Sequence, residues 1–281
     1  MVVSNHIISG KTKFIAHIGF PTDTFTAPKI LNPCFKLLNE DLIVIPMACK
    51  KENLKKLIEG LKNLENFFGA LITMPHKQAI LSHLNFKSSL VKQSASCNIL
   101  KLNKSRETIG EIFDGVGVFK AMCEKNVLPR NKSILLIGAG GVGSGTAFYL
   151  VSKGASKLAI FDLDLSRSSE LCSKIRHIFP NSEVDVWDSK EVGWDILINA
   201  TPLGMSRADN LPVAMRFINS VDVVIDLVLS TTDTYLIETA KKNGSTIVTG
   251  VEILMAQIPE MLDFFGLEKM SVKEIRTICG F

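Results

Sequence analysis

"ILLIGAGGVGSGTAFYLVSKGASKLAIFDLD", residues 134–164, decides the fold. An apolar run ends in a glycine turn, a helix-like segment follows, and a second apolar run closes on an acidic residue. Gly138, Gly140 and Gly143 fit G-x-G-x-x-G at the end of a strand and the start of a helix. In that setting Gly138 permits the tight turn, Gly140 lets the backbone approach a pyrophosphate, and Gly143 lets helix and strand pack closely. The backbone N–H groups of the loop, from Ala139 through Gly141 and Val142 to Gly143, then face the phosphates without a charged side chain. Asp162 ends the second strand, where a carboxylate accepts hydrogen bonds from a ribose diol and repels a 2′-phosphate. The expectation is therefore NAD, with NADP second. Asp164 either shares that role or faces solvent, and Arg167 reaches a 2′-phosphate if the loop folds back. The plainer reading is a glycine-rich turn in an empty fold.

Outward from this unit, the second half repeats strand candidates at α/β spacing: 133–138, 157–161, 183–187, 195–200, 222–228 and 245–250. Helix candidates at 142–154, 168–178 and 234–243 lie between them, and an apolar helix is predicted over 252–265. This is the pattern of a doubly wound sheet. "NVLPRNK" (126–132) reads as a junction. Before it, 14–19, 41–46 and 68–73 read as strands, 51–64 as an amphipathic helix, 94–102 as another strand, and "NKSRETIGE" (103–111) as a polar turn region. The fold class expected is α/β with two domains: 1–125 plus 250–281 for substrate, and a Rossmann-type dinucleotide domain over 126–249.

A chain of 281 residues, 46% hydrophobic and 21% charged, buries a core without covalent staples. The net charge of +4 is too slight to indicate nucleic acid, though it favours an anionic ligand. The cysteines, at 34, 49, 97, 123, 172 and 279, form no C-x-x-C and read as reduced thiols. His6, His17, His83 and His177 are scattered, so no metal site is expected. No apolar run has the roughly 20 residues of a membrane helix. "MVVSNHIISGKTKF" does not have the form of a signal peptide. The expected setting is the cytoplasm, without membrane or nucleic-acid partners, as a monomer or homodimer.

"LITMPHK" (71–77) poses a separate question. A strand stops at Pro75, which has no N–H for a ladder, and Lys77 follows. The lysine either caps a solvated loop or moves protons at the mouth of a pocket. His76 reads as loop structure, because adjacent side chains in extended backbone point apart. Cys97 has no neighbouring pattern of nucleophilic or metal chemistry, and Met255 and Met261 read as helix packing.

Taken together, the lysine turn, the glycine turn and "NATPLGM" (199–205) resemble the shikimate/quinate dehydrogenase family, over roughly residues 14–267. The resemblance implies a substrate domain and a nucleotide domain across a cleft, the final helix returning to the first. "DLDLSR" (162–167) is similar to the NAD-using branch. The resemblance implies that Lys77 and Asp114, in "EIFDGVG", flank the reacting hydroxyl. It places Asn98 on a ring hydroxyl, with Thr73 and Gln257 as further substrate contacts. Asn199, Ala200, Thr201, Pro202 and Met205, with Gly250, fall on the nicotinamide side.

The carboxylate-holding end departs from the family pattern. In "GFPTDTFTAPKI" (19–30) the two family serines are Phe25 and Ala27, and Leu229 stands where the family has a tyrosine. Thr24 and Thr26 compensate only if the loop slips by one residue. Ile112 and Phe113 precede Asp114, and Ile99 follows Asn98, which makes the reacting end more apolar. Losing buried donors to a charged group costs discrimination, so ordinary shikimate should bind poorly. The function expected is reversible hydride transfer between NAD(P) and a secondary hydroxyl of a shikimate- or quinate-like cyclic polyol, with an altered true substrate. In that chemistry the lysine accepts the hydroxyl proton and supplies a donor to the developing carbonyl. The alternative is a non-catalytic NAD-binding or ligand-sensing protein on the same scaffold.

Overall fold

The structure, a computed structural model, describes residues 8–230 and 232–280; His6 and the first half of the opening segment lie outside the described residues. The chain divides into two compact units. One holds the residues up to Ser88, Cys97–Glu111 and the residues from Ile258 on; the other holds Ser89–Ser96 and Ile112–Gln257. In chain order the first unit contributes β1 (Lys13–Gly19), α1 (Ala27–Leu37), β2 (Leu42–Ala48), α2 (Leu54–Lys62), β3 (Phe67–Ile72) and β4 (Phe86–Lys87). Helix α3 (Ser89–Ser94) belongs to the second unit, and β5 (Ile99–Leu102) and β6 (Thr108–Glu111) return to the first.

The second unit then runs through α4 (Asp114–Glu124), β7 (Ser133–Ile137), α5 (Gly141–Ser152), β8 (Lys157–Phe161), α6 (Leu165–Ile178) and β9 (Glu183–Val186). It continues with β10 (Ile196–Asn199), α7 (Met215–Ile218), β11 (Val223–Asp226), α8 (Tyr235–Lys242) and β12 (Thr246–Val248). Helix α9 (Gly250–Phe265) begins in the second unit and ends in the first, followed by α10 (Val272–Cys279).

The first sheet has the order β2-β1-β3-β5-β6-β4. β1 pairs parallel with β2 and β3, while β5 runs antiparallel to β3 and β6. β1 is buried along nearly its whole length, as a central strand covered on both faces must be. The outer edge of β2 is not left open. Asn32 on α1 accepts the Val44 N–H through Oδ1 at 2.7 Å and donates through Nδ2 to the Val44 carbonyl at 3.2 Å. A side chain thus occupies backbone groups that another strand would otherwise pair with.

The second sheet, β12-β11-β10-β7-β8-β9, is parallel throughout. Its strands send alternate residues to opposite cores. Ile134, Leu136 and Ile198 pack with Ala147, Leu150 and Val151 of α5. Leu135, Ile137 and Leu197 pack with Phe217 and Ile237 on the other face. Asp195 pins the entry of this sheet, accepting from Lys132 Nζ at 2.7 Å and from Ser133 N and Oγ at 2.8 and 2.7 Å. Although partial burial opposes ionisation, these donors hold its carboxyl at about 2.

The sequence reading located the strands of the second sheet to within two residues at each end. It failed where composition and structure conflict. Residues 108–111, read as a turn, form β6, whose Gly110 packs with no room for a side chain: a Cβ there would lie 2.4 Å from Leu84 Cδ1. Helix α1 went unread because Pro28 and Pro33 argue against a helix; Pro28 lies in the first turn, where a missing N–H costs nothing. Helix α4 went unread because its first four residues include Gly115 and Gly117.

Candidate active site

In the first unit the lysine turn is held from three sides. The N–H of Thr73 donates to Ile18 O at 3.0 Å, that of Phe20 to Met74 O at 3.0 Å, and that of Cys97 to Lys77 O at 2.8 Å. The N–H of Ile72 donates to Asn98 O at 2.8 Å, and that of Asn98 to Glu111 O at 3.1 Å. Thr73, Lys77 and Asn98 are therefore fixed to one another through backbone bonds at the ends of β1, β3 and β5. Lys77 and Thr73 are half-buried, and Asn98 is buried.

His76 is fully buried, and its Nε2 lies 2.7 Å from the carbonyl oxygen of Cys49. A carbonyl only accepts, so Nε2 carries the proton and the ring secures the turn. Cys97 is likewise buried, its thiol donating to Ile99 O at 3.2 Å and pushed up to about 12 chiefly by burial. A thiol at that value is not a nucleophile.

Phe25 is turned inward and stacks on the His17 ring, centroids 4.0 Å apart and planes 27° apart. Thr24 is exposed, Thr26 stands at the N-cap of α1 with its hydroxyl donating to Thr24 O at 3.3 Å, and Ala27 is buried. A Cβ on Gly19 would lie 2.5 Å from the Thr73 methyl and 2.7 Å from Phe25 Cζ, so only glycine lets these groups close over the strand end. The sequence reading missed His17. Its signal is a histidine inside an otherwise apolar central strand.

In the second unit the glycine loop has the geometry its spacing predicts. Gly138 has φ +105°, and a Cβ on it would meet Ala200 C and O at 2.8 Å. A Cβ on Gly143 would fall 1.9 Å from Gly138 O. A Cβ on Gly140 would meet no heavy atom within 4 Å. The loop backbone is thus tight toward the protein and open outward at Gly140, as a pyrophosphate cradle must be, and the residues present fit a dinucleotide. Ala139 is buried, whereas Gly141 and Val142 at the start of α5 are half-buried.

The adjoining turn after β10 is built on Asn199. Its Oδ1 accepts from Thr201 N at 3.1 Å and Oγ1 at 2.7 Å, while its Nδ2 donates to Leu203 O and to Asp226 Oδ1, each at 3.0 Å. Asp226 also accepts from Val228 N at 3.1 Å and Thr234 Oγ1 at 2.5 Å. Burial raises the carboxyl of Asp226 despite these donors. Ala200 N–H donates to Ile137 O at 2.7 Å, so this turn and the glycine loop lie side by side where the strand order reverses between β7 and β10. Pro202 and Met205 are exposed in the turn. Gly250 starts α9 where a Cβ would lie 2.3 Å from Val228 O, and Leu229 beside it is half-buried. Asp226 and Thr234 were not read from the sequence; an acid ending the buried run "VVID" was the available signal.

Asp114 is buried in the first turn of α4. The glycines after it serve packing. A Cβ on Gly115 would lie 2.6 Å from Gly145 O of α5, and one on Gly117 would lie 2.4 Å from Cγ of the buried Gln257 on α9. Asp114 and Gln257 thus sit on two helices in close contact within one unit. Among the described residues no group of three or more His, Cys, Asp or Glu is placed to hold a metal ion, and no helix is long and apolar enough to cross a membrane. A cavity of about 470 Å³ at the β8–β9 edge, lined by Lys157, Trp187, Glu191 and Trp194, includes none of the site residues.

The shikimate dehydrogenase substrate-binding-domain model matches residues 18–100. The shikimate dehydrogenase (NADP(+)) of Methanobrevibacter smithii is 32% identical over 274 residues, 95% of each chain. The chain belongs to the shikimate dehydrogenase family. It is thereby one of a family of NAD(P)-dependent oxidoreductases. The shikimate dehydrogenase (NADP(+)) of Prochlorococcus marinus is 31% identical over 93% of this family member and 95% of its own length. A crystal structure of a shikimate dehydrogenase in complex with NADP+ superposes with a TM-score of 0.86 at 25% identity, covering 97% of this chain and 96% of that one.

These relatives overturn the preference for NAD over NADP drawn from Asp162, since they are NADP(+) enzymes. The structure supplies the physical reason. Asp162 Oδ2 accepts the Ala139 N–H at 2.7 Å and Oδ1 the Asp164 N–H at 3.0 Å, so its carboxylate shapes the loop. Asp164 caps α6 through Ser166 N at 3.1 Å and pairs with Arg167 Nε at 3.4 Å. An acidic residue at this strand end has structural work of its own and does not report the ribose substituent. Arg167, exposed in the first turn of α6, is the cation beside it.

Proposed function

We propose that this protein catalyses reversible, NADP-linked oxidation of a secondary hydroxyl on a shikimate- or quinate-like cyclic polyol, with a true substrate different from shikimate at the carboxylate end. The observation that carries the reading is the mutual fixing of Thr73, Lys77 and Asn98 by backbone hydrogen bonds, in a chain with the glycine cradle of a dinucleotide enzyme. The functional division assigned is 1–125 plus 250–281 for substrate and 126–249 for dinucleotide. The assigned setting is the cytoplasm, as a monomer or homodimer.

The cofactor would be held by the Ala139–Gly143 backbone, with Arg167 toward the 2′-phosphate and the turn from Asn199 to Met205 toward the nicotinamide. When bound, it supplies the hydride acceptor or donor. The chain's own residues handle the proton. Lys77 Nζ accepts it from the hydroxyl and returns it in the reverse direction, and its ammonium form hydrogen-bonds the carbonyl oxygen. Asp114 is the second acid–base group assigned. Thr73, Asn98 and Gln257 orient ring hydroxyls.

The second reading is a non-catalytic dinucleotide binder, favoured by the apolar side chains of Phe25, Ala27 and Leu229. Absorbance of reduced cofactor, followed with NADP+ and a panel of cyclic alcohols, separates the two. Turnover with at least one alcohol, lost in Lys77→Met with NADP+ affinity unchanged, supports the enzyme. Binding of NADP+ without turnover across the panel supports the binder.

A further inference from the structure

His17 lies in the middle of β1, opposite Pro46 of β2 and Leu71 of β3, where a polar ring is out of keeping with its neighbours. It is 8% exposed. Its Nδ1 is sealed off without a hydrogen-bond partner. Nε2 is not sealed off, and it too has no partner among the described residues. A buried lone pair costs less than a buried, unpaired N–H, so the proton belongs on Nε2. The ring therefore presents one unused donor. Phe25 covers its face, and the Phe25 tip and Thr73 methyl meet over Gly19.

We propose that His17 and Phe25 are the specificity-determining pair of the substrate end: His17 Nε2 donates a hydrogen bond to an uncharged hydroxyl of the substrate, and Phe25 fills the space where a carboxylate would need donors. The favoured substrate is then a ring polyol bearing a hydroxyl or hydroxymethyl group in place of the carboxylate. This rests on the reading of the chain as a polyol dehydrogenase.

Charge supports the assignment. Burial first, then the positive charge of Lys77, push His17 down to about 3. The ring is neutral at physiological pH and brings no counter-charge to an anion, though it hydrogen-bonds a hydroxyl well. An apolar phenyl ring leaves a desolvated carboxylate without compensation, whereas it packs acceptably against a methylene carbon. Lys77 does not fill the gap, since in the proposed reaction its ammonium works at the oxidised carbon.

The test compares shikimate with the same cyclohexene triol bearing hydroxymethyl in place of the carboxylate. Both kcat/KM with NADP+ and calorimetric binding are measured. The wild type is expected to prefer the hydroxymethyl compound at least tenfold. Phe25→Ser combined with Ala27→Ser should move the ratio tenfold or more toward shikimate. His17→Val should raise KM for the hydroxymethyl compound about tenfold with kcat and NADP+ affinity held, and His17→Gln, which restores a neutral donor, should recover most of that loss. Should the serine double variant fail to fold, the Val and Gln pair decides. Preference of the wild type for shikimate, or equal behaviour of His17→Val and wild type, overturns this proposal alone. A folded wild type that binds NADP+ but oxidises neither these compounds nor any alcohol of the panel overturns the dehydrogenase reading, and the proposal with it.

Discussion

Asn199 Nδ2 donates to Asp226 Oδ1 at 3.0 Å, joining the ends of two adjacent parallel strands with both side chains withdrawn from solvent. Through Asn199 the bond reaches Thr201 and Leu203, and through Asp226 it reaches Val228 and Thr234. Asp226→Ala would strand the Asn199, Val228 and Thr234 donors in an apolar setting. Unpaired buried groups cost about 1–3 kcal/mol each when nothing relaxes, and water entering the vacated space recovers part of it. Urea unfolding should show a loss of roughly 2–4 kcal/mol. Thr234→Val, which removes one donor, should cost about 1 kcal/mol.

Two glycines of one loop should differ in their effect on stability while both weaken NADP+ binding. Gly143→Ala places a methyl 1.9 Å from Gly138 O, so the loop must break open; melting temperature and NADP+ binding should both fall. Gly140→Ala meets nothing within 4 Å, so melting should change little. In the proposed function that methyl would face the pyrophosphate, so NADP+ affinity should fall at least tenfold. Scanning fluorimetry with and without NADP+ reads both.

Acid should expose His17. Its value is depressed from 6.5 to about 3, so its contribution is fully present above 6.5. As pH falls toward 3 the unfolded chain gains a proton that the folded one refuses, and stability drops at up to about 1.4 kcal/mol per pH unit. Comparing unfolding free energy at pH 7 and 5, His17→Leu should show a shallower decline than wild type. Equal slopes would assign the decline to other groups.

Asp195 should act in a lower window. Its carboxyl is held at about 2 against an ordinary 3.8, so its stabilisation is present above 3.8 and lost as pH falls through 2. Asp195→Ala removes the bonds to Lys132 and Ser133. The side chain is 29% exposed, so screening limits the loss to about 1–2 kcal/mol at pH 7.

Legibility in the sequence followed physical locality. The second sheet was readable because its inner strands β7, β8, β10 and β11 are nearly continuous apolar runs, and the glycine loop because its turn and its close helix–strand packing call for glycine at fixed spacing. The lysine turn was readable through Pro75. Helices α1 and α4 were not, since tertiary packing overrides the local signals of Pro33, Gly115 and Gly117. Asp162 misled because the same carboxylate serves a ribose or a loop N–H, and one residue type does not say which. Phe25 was read as a loss. Its partner His17 lies eight residues away on another element, and no pattern of spacing links a strand residue to the loop that folds back over it.

The first unit is stitched from three lengths of chain, and the last of them follows the second unit in the chain. Phe265 packs against Phe68, its ring edge 2.7 Å from where a side chain on Gly69 would begin, and Lys101 Nζ donates to the carbonyl of Phe264. A ribosome therefore releases every residue of the second unit before it supplies the helix end that covers β3. A chain stopped at Gln257 would contain every residue of the second unit but lack the helix end that packs on β3. The chain order thus leaves the β3 face of the first unit to be covered by residues synthesised after the second unit.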